Sequence, residues 1–374
     1  MHYVENEQQT AELARALNGS ALLAADTEAA GYHRYHDRIC LLQLSTRDST
    51  ALVDALTVRD LGPLASYFAD PEIEIIFHDA DYDLRLLSRD YGVDVRGLFD
   101  TKIAAQLLGE PAFGLGNLLE KFLDVKLEKK YQRADWAQRP LPPEMLEYAA
   151  EDTRYLPPLR DTLKAALEEK GRLHWADEEF RIEEQVRWSP AENNGDGYLR
   201  LKGTRDLRPR QLAALRELYN WRESVVEERD RASFRIMGNE ALLGIARELP
   251  RTPDELARVP ELPAPLVERY GPDLLPAVRR AQELPESELP VRPRGPGRPA
   301  PDPAFDALME RLKAARDVAA DELGLDRGFL MPRAQLEEVA RGRPRDLDAL
   351  RQIPGLRRWQ AEALGDRLLR VLKR

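Results

Sequence analysis

Residues 21–31 read ALLAADTEAAG, five small or aliphatic residues running directly into Asp26 and Glu28. The run has the length and composition of a short strand, expected over 21–27, and its acidic end decides how the neighbouring sequence is read. Side chains at i and i+2 of a strand share a face, so the two carboxylates project together. Two such charges about 5 Å apart at an effective dielectric of about 20 repel by roughly 3 kcal/mol. A compensating cation is therefore expected, and a divalent metal supplies it economically. Taken alone, D-x-E is equally the solvated end of a strand.

Outward from this stretch, strand-like runs fall at 38–45 (RICLLQLS), 50–54 and 72–78, and helical periodicity appears at 61–69, 82–91 and 101–108. Strands first, with helices interleaved, predict an α/β domain with a mixed sheet flanked by helices. From 115 to 187 the pattern is almost wholly helical, punctuated by Pro140, Pro142 and Pro143 ahead of the helix that carries Tyr148.

The chain has 374 residues, enough for two or three domains, with 43% hydrophobic and 33% charged residues. No run approaches the roughly 20 apolar residues of a membrane helix. The polar start, MHYVENEQQTAELARAL, does not read as a secretory signal. A lone cysteine, Cys40, excludes an internal disulfide and a zinc-type cysteine cluster, so a reducing, cytoplasmic setting is expected. Set among aliphatics, it reads as a small buried hydrophobe.

The net charge of −10 is unevenly spread: residues 1–204 sum to −13, 205–285 balance, and 303–374 sum to +3. Whole-chain acidity therefore does not exclude a polyanionic partner, because local fields decide binding.

The C-terminal part repeats itself at an offset of 94 residues. Leu218, Arg222, Met237, Leu242, Ala246, Pro250, Leu256, Pro260 and Leu262 recur as Leu312, Arg316, Met331, Leu336, Ala340, Pro344, Leu350, Pro354 and Leu356. Generic helical periodicity would not place two prolines in one register, so a duplicated all-α domain is read. The expected organisation is a front domain at 1–190, a linker at 191–204, one helical domain at 205–285, a Pro/Gly-rich linker at 286–302 and a second helical domain at 303–374.

Two further acids and a tyrosine join the first pair. In FHDADYDLRLL, a strand entering a helix, Asp79 and Asp81 suit a helix start, whereas Asp83 falls inside the helix. In EMLEYAAEDTRYL, Tyr148 and Asp152 are i and i+4 and so share a helix face. Each cluster alone has a bland reading as a cap or a helix-face pair. In sequence, Asp26, Glu28, Asp83, Tyr148 and Asp152 each lie on an element of the expected type.

This set resembles the ribonuclease D family of DEDD exonucleases, in the tyrosine-containing branch. Asp26 and Glu28 match the first motif, Tyr82-Asp83 the second, and Tyr148-x3-Asp152 the third. Glu147 stands where the histidine branch would place its histidine. Phe99-Asp100-Thr101, Asp135-Trp136 followed by RPL, and the LRLKG at 199–203 support the match, and the repeats resemble helicase-and-RNase-D C-terminal (HRDC) domains. The resemblance implies a ribonuclease H-like exonuclease domain followed by two HRDC domains, and a 3′–5′ exoribonuclease releasing nucleoside 5′-monophosphates. It further implies RNA as partner, tRNA precursors included, and two divalent ions, Mg²⁺ or Mn²⁺. In that pattern Asp26 bridges both ions. Glu28 and Asp152 complete the ion that activates water, Asp83 anchors the other, and Tyr148 orients the attacking water.

Gln43, Tyr131, Arg133 and Trp136 are candidate substrate contacts, with core packing or strand-edge capping as the alternative. Arg341, Arg343, Arg345, Arg357 and Arg358 are candidate phosphate contacts in the second repeat, with a solvated charged face as the alternative. His33, His36 and His78 lack metal-ligand spacing. Rival functions are a DNA-directed 3′–5′ exonuclease and a non-catalytic nucleic-acid scaffold.

Overall fold

The computed structural model describes residues 1–190, 195–292 and 302–373. Six strands, β1 (His2–Val4), β2 (Leu22–Ala29), β3 (Ile39–Ser45), β4 (Thr50–Asp54), β5 (Glu74–Phe77) and β6 (Leu98–Asp100), form one sheet in the order β1-β4-β3-β2-β5-β6. It is mixed: β3 and β4 pair antiparallel, while β1–β4, β2–β5 and β5–β6 pair parallel. Every residue of β3 is buried, which explains why ICLLQLS is nearly continuous in aliphatics instead of alternating.

Eight helices accompany the sheet: α1 (Glu7–Ala16), α2 (Leu64–Ala69), α3 (Asp81–Tyr91), α4 (Thr101–Leu108), α5 (Leu115–Leu123), α6 (Pro143–Arg154), α7 (Leu156–Glu169) and α8 (Leu173–Glu183). Their ends follow local chemistry. Helix α3 stops at Gly92, whose left-handed φ of 64° closes the last turn. Helix α4 is capped by Asp100, whose Oδ1 accepts from the backbone N–H groups of Lys102 and Ile103 at 2.7 and 3.0 Å. Helix α6 opens with Pro143 in the first turn. The expected strand at 21–27 extends to Ala29, so both acids lie within it. The stretch between α5 and α6 is irregular where the sequence suggested nearly continuous helix.

That irregular segment is fastened by an ion pair between the half-buried Arg139 and the buried Asp54. Arg139 donates through Nε and Nη2 to the two carboxylate oxygens of Asp54, both at 2.6 Å, and through Nη2 to the Cys40 carbonyl at 2.8 Å. The Tyr3 hydroxyl donates to Asp54 at 2.8 Å. Burial by itself would raise the Asp54 pKa, but the hydrogen bonds from Arg139 and Tyr3 outweigh it and hold the carboxyl below its usual range.

The repeat continues into the structure. Helices α9 (Pro209–Arg229), α10 (Ser233–Ile236), α11 (Asn239–Glu248), α12 (Pro253–Leu256) and α13 (Ala264–Glu283) are each followed 94 residues later by the start of α14 (Pro303–Leu323), α15 (Arg327–Leu330), α16 (Arg333–Gly342), α17 (Leu347–Arg351) and α18 (Arg358–Leu372). The recurring Arg–Met pair has one job in both copies. Arg222 donates to the Met237 carbonyl at 3.2 Å and Arg316 to that of Met331 at 3.0 Å.

The chain divides into two compact units. One comprises Met1–Glu28, Ile39–Trp188 and Pro299–Arg374; the other comprises Ala29–Arg38 and Ser189–Arg298. Within the first, the second repeat is joined to α8. The Trp175 and Trp359 rings stack with centroids 5.2 Å apart. Glu178 accepts the Arg358 and Trp359 backbone N–H groups at 2.7 and 3.0 Å, capping α18. Within the second unit, the described part of the expected 191–204 linker packs on the first repeat. Short helical turns at Gly197–Arg200 and Thr204–Asp206 bury Tyr198 and Thr204. Residues 191–194 of that expected linker, and 293–301 of the next, lie outside the described residues.

Removing Arg139 would leave the buried Asp54 carboxylate with only the Tyr3 hydroxyl and Leu56 N–H as donors, a loss of about 1–3 kcal/mol. Arg139→Met is expected to lose stability of this order in urea unfolding, and Asp54→Asn/Arg139→Met to recover part of it. A loss below about 1 kcal/mol would make the pair incidental.

Candidate active site

Three elements bring the acids together. Asp26 and Glu28 stand two apart on β2, half-buried, and Asp83 lies in the first turn of α3, buried. Tyr148 and Asp152 lie one turn apart on α6, which packs on β3 and β4. All five are in the first compact unit. Thr27, between the two β2 acids, donates its hydroxyl to Asp83 Oδ1 at 2.5 Å, tying α3 to β2.

The turn before α3 is braced from behind. Asp100 is wholly buried, and its Oδ2 accepts the Ala80 N–H at 2.7 Å while its other oxygen caps α4. Asp79 adopts a left-handed φ of 66° and pairs with Lys102 at 2.6 Å. His78 bonds Thr101 Oγ1 at 2.9 Å, and burial pushes its pKa down to about 4. It is therefore neutral at physiological pH and built into the scaffold.

The electrostatics are those of like charges held against their preference. Burial, then Asp83, Asp152 and Glu28, raise the Asp26 pKa well above the ordinary range. Burial, Asp152 and Asp83 do the same to Glu28. Burial pushes Asp83 and Asp152 up to about 7; hydrogen bonding from Thr27 restrains the first, and Glu151 adds to the second. The Tyr148 phenol is raised by burial and by Asp152, Glu28 and Asp26, so it keeps its proton near neutrality. Among the described residues, no three histidine, cysteine or acid side chains are already drawn into a metal-holding cluster. Four repelling carboxylates have no reason to close on one another by themselves.

Tyr148 is set among aromatics. The Tyr131 ring meets it edge-on with centroids 5.7 Å apart, and Trp136 lies tilted beside it at 6.2 Å. Arg139 also donates to the Trp136 carbonyl at 2.8 Å, so the ion pair to Asp54 fixes this wall.

Several expected substrate contacts take other places. Gln43 is fully buried in β3, and neither amide atom has a hydrogen-bond partner among the described residues. It cannot touch RNA from there. Trp136 is 2% exposed and backs Tyr148 instead of stacking on a base. Arg357 is engaged by Glu179 at 3.0 Å in the α8–α18 contact. Arg341 pairs with Glu338 at 2.9 Å on the surface of α16. Arg343, Arg345 and Arg358 are exposed, as is Arg133, and Tyr131 is half-exposed beside Tyr148. Thr27, Asp100 and Arg139 escape motif reading as positioning residues, because their roles depend on partners distant in sequence.

A mixed sheet with four acids and a tyrosine converging from β2, α3 and α6 defines a 3′–5′ exonuclease domain, and family comparison agrees. Residues 1–168 match the 3′–5′ exonuclease model, and residues 211–278 and 305–372 each match the HRDC domain. Ribonuclease D of Pseudomonas paraeruginosa is 30% identical over 375 residues, covering the whole of this chain and 98% of that protein. The crystal structure of Escherichia coli RNase D, described as an exoribonuclease involved in structured RNA processing, superposes with a TM-score of 0.70 at 27% identity, covering 100% of this chain and 98% of that one. Exosome complex component 10 of Mus musculus is 33% identical over 313 residues, but the chain spans only 35% of its length. The chain belongs to the ribonuclease D family of 3′–5′ exoribonucleases. No helix among the described residues is long and apolar enough to cross a membrane.

The raised carboxyls make a signed prediction for the metal-free protein. An unfolded Asp titrates near 4, whereas Asp83 in the fold titrates at about 7. Between these values the folded state binds the extra proton, so stability present below pH 4 is lost as pH rises through about 7. Asp83→Asn in EDTA should therefore melt higher than the parent protein at pH 8 and lose that advantage by pH 4. Parallel melting curves at all pH values would show that burial does not hold the Asp83 proton in the fold.

Proposed function

We propose that this chain shortens RNA from the 3′ end, releasing nucleoside 5′-monophosphates, with tRNA precursors and other structured RNAs bearing single-stranded 3′ ends as substrates. The observation that carries the reading is the cluster of Asp26, Glu28, Asp83 and Asp152, each carboxyl held above its ordinary pKa beside the protonated Tyr148. The donor set is all carboxylate oxygen, which suits Mg²⁺ or Mn²⁺ over zinc, and its mutual repulsion is what cations would relieve. Two such ions would be held, Asp26 facing both, Glu28 and Asp152 serving one, and Asp83, tethered by Thr27, serving the other. When bound they supply a water of lowered pKa and neutralise charge at the phosphoryl group and leaving oxygen.

The chain's own residues do the rest. Tyr148 is a poor base at pH 7 and acts as a hydrogen-bond donor that orients the attacking water, its ring fixed by Tyr131 and Trp136. Cys40, the single cysteine of the sequence, is buried in β3, which suits work in the reducing cytoplasm.

Asp26→Asn should keep the fold and lower exonuclease rate by several orders of magnitude, since each ~1.36 kcal/mol of lost transition-state stabilisation is tenfold. The check is digestion of end-labelled RNA, with DNA alongside, in Mn²⁺ or EDTA. Near-parental turnover in saturating Mn²⁺ would remove Asp26 from the site. Tyr148→Phe should lower kcat while calorimetric metal affinity stays unchanged. Collapse of that affinity would make the tyrosine structural.

A further inference from the structure

We propose that the loop Ala29–Arg38 and the first helical repeat together form a nucleotide-binding platform, which takes unpaired bases of RNA by ring stacking and their phosphates by arginine. The proposal deepens the function above and rests on RNA being the substrate. Both segments belong to one compact unit.

Two large rings are exposed there side by side. Tyr32 is 42% exposed and Phe234 is 54% exposed, with centroids 5.3 Å apart. Scattered single apolar side chains are ordinary on a surface, but adjoining rings are a binding feature. The Arg235 guanidinium lies 5.4 Å from the Tyr32 centroid and 5.5 Å from that of Phe234. Its Nε donates to the Tyr32 carbonyl at 3.2 Å, and Nη2 lies 3.3 Å from His33 Nε2. Arginine is suited both to stacking on rings and to phosphate.

Three further hydrogen bonds fasten the loop to the repeat. The Ala232 N–H donates to the His33 carbonyl at 3.1 Å, and Asp230 accepts the backbone N–H groups of Tyr35 and His36, each at 3.1 Å. Rings held in place before binding lose little freedom on taking a base. Beside them opens a cleft of about 510 Å³ whose lining includes Arg34, Tyr35, Tyr219, Arg222 and Phe234, a volume within the range of small-ligand sites. Residues 29–38 and 230–235 carry four arginines against two aspartates, in a chain of net charge −10. Rings interleaved with positive charge are the means by which proteins hold single strands without reading sequence.

The test is binding of a fluorescent single-stranded oligoadenylate to the full chain in EDTA across a salt series, with melting curves to verify folding. Phe234→Leu keeps apolar packing but removes the π face, and should weaken binding about tenfold with an unchanged salt slope. Phe234→Trp should bind at least as tightly as the parent. Arg235→Gln should weaken binding and flatten the log–log salt slope by about 0.7, one phosphate contact on a single strand. If the parent binds while Phe234→Leu and Arg235→Gln stay within twofold of it at the parental slope, the rings and arginine serve only to hold the loop, and the platform is refuted. If the parent itself does not bind RNA, the broader reading fails and takes this one with it.

Discussion

Everything in the front domain is arranged around the repulsion among four carboxylates. Burial raises all four carboxyls, and Asp83 and Asp152 add their charge to the burden on Asp26 and Glu28; charges so placed would drift apart on a soft scaffold. Each is instead mounted on an element that cannot easily yield. β2 lies inside the sheet, α3 is tethered by the Thr27–Asp83 hydrogen bond, and α6 is packed across β3 and β4. On the proposed function, that repulsion is what bound divalent cations would relieve.

The supporting contacts form two further layers. Asp100 joins the start of α3 to the start of α4 through one carboxylate, so the turn carrying Asp79 and the helix carrying Asp83 are fixed as a piece. Arg139, held by Asp54, secures the irregular segment whose Trp136 and Tyr131 flank Tyr148. The second repeat adds its own weld, in which α8 supplies Glu178 and Glu179 to the first turn of α18 and Trp175 to the Trp359 ring. That end of the repeat is thereby occupied within the protein, which leaves the first repeat as the better candidate for meeting RNA.

What could be read from the sequence was what local spacing determines. The i, i+2 acids of β2, the i, i+4 pair of α6 and the 94-residue repeat are legible because each is a matter of one element's geometry. Depth is not. Gln43 and Trp136 have residue types that suit RNA contact, yet β3 lies mid-sheet and the Trp136 indole sits beneath Tyr148. β1 and β6 are three residues each, too short for alternation to show. Thr27 sits between two motif residues and was invisible as a tether, because its partner is 56 positions away. Arg357 lies 178 positions from the Glu179 that engages it, so a basic cluster in the sequence became in part a docking contact in the fold.

On the proposed function, Asp83 and Asp152, held up to about 7 in the fold, would give up protons as divalent cations bind. The direct measurement is calorimetric titration of the full chain with Mn²⁺ at pH 6.5 in buffers of different ionisation enthalpy, which counts protons released. The account predicts net proton release on binding, diminishing as pH is raised to 8.5 and abolished together with binding in Asp26→Asn/Asp152→Asn. Tight Mn²⁺ binding with no proton release at pH 6.5 would contradict it, because the acids would then be fully ionised before the metal arrives.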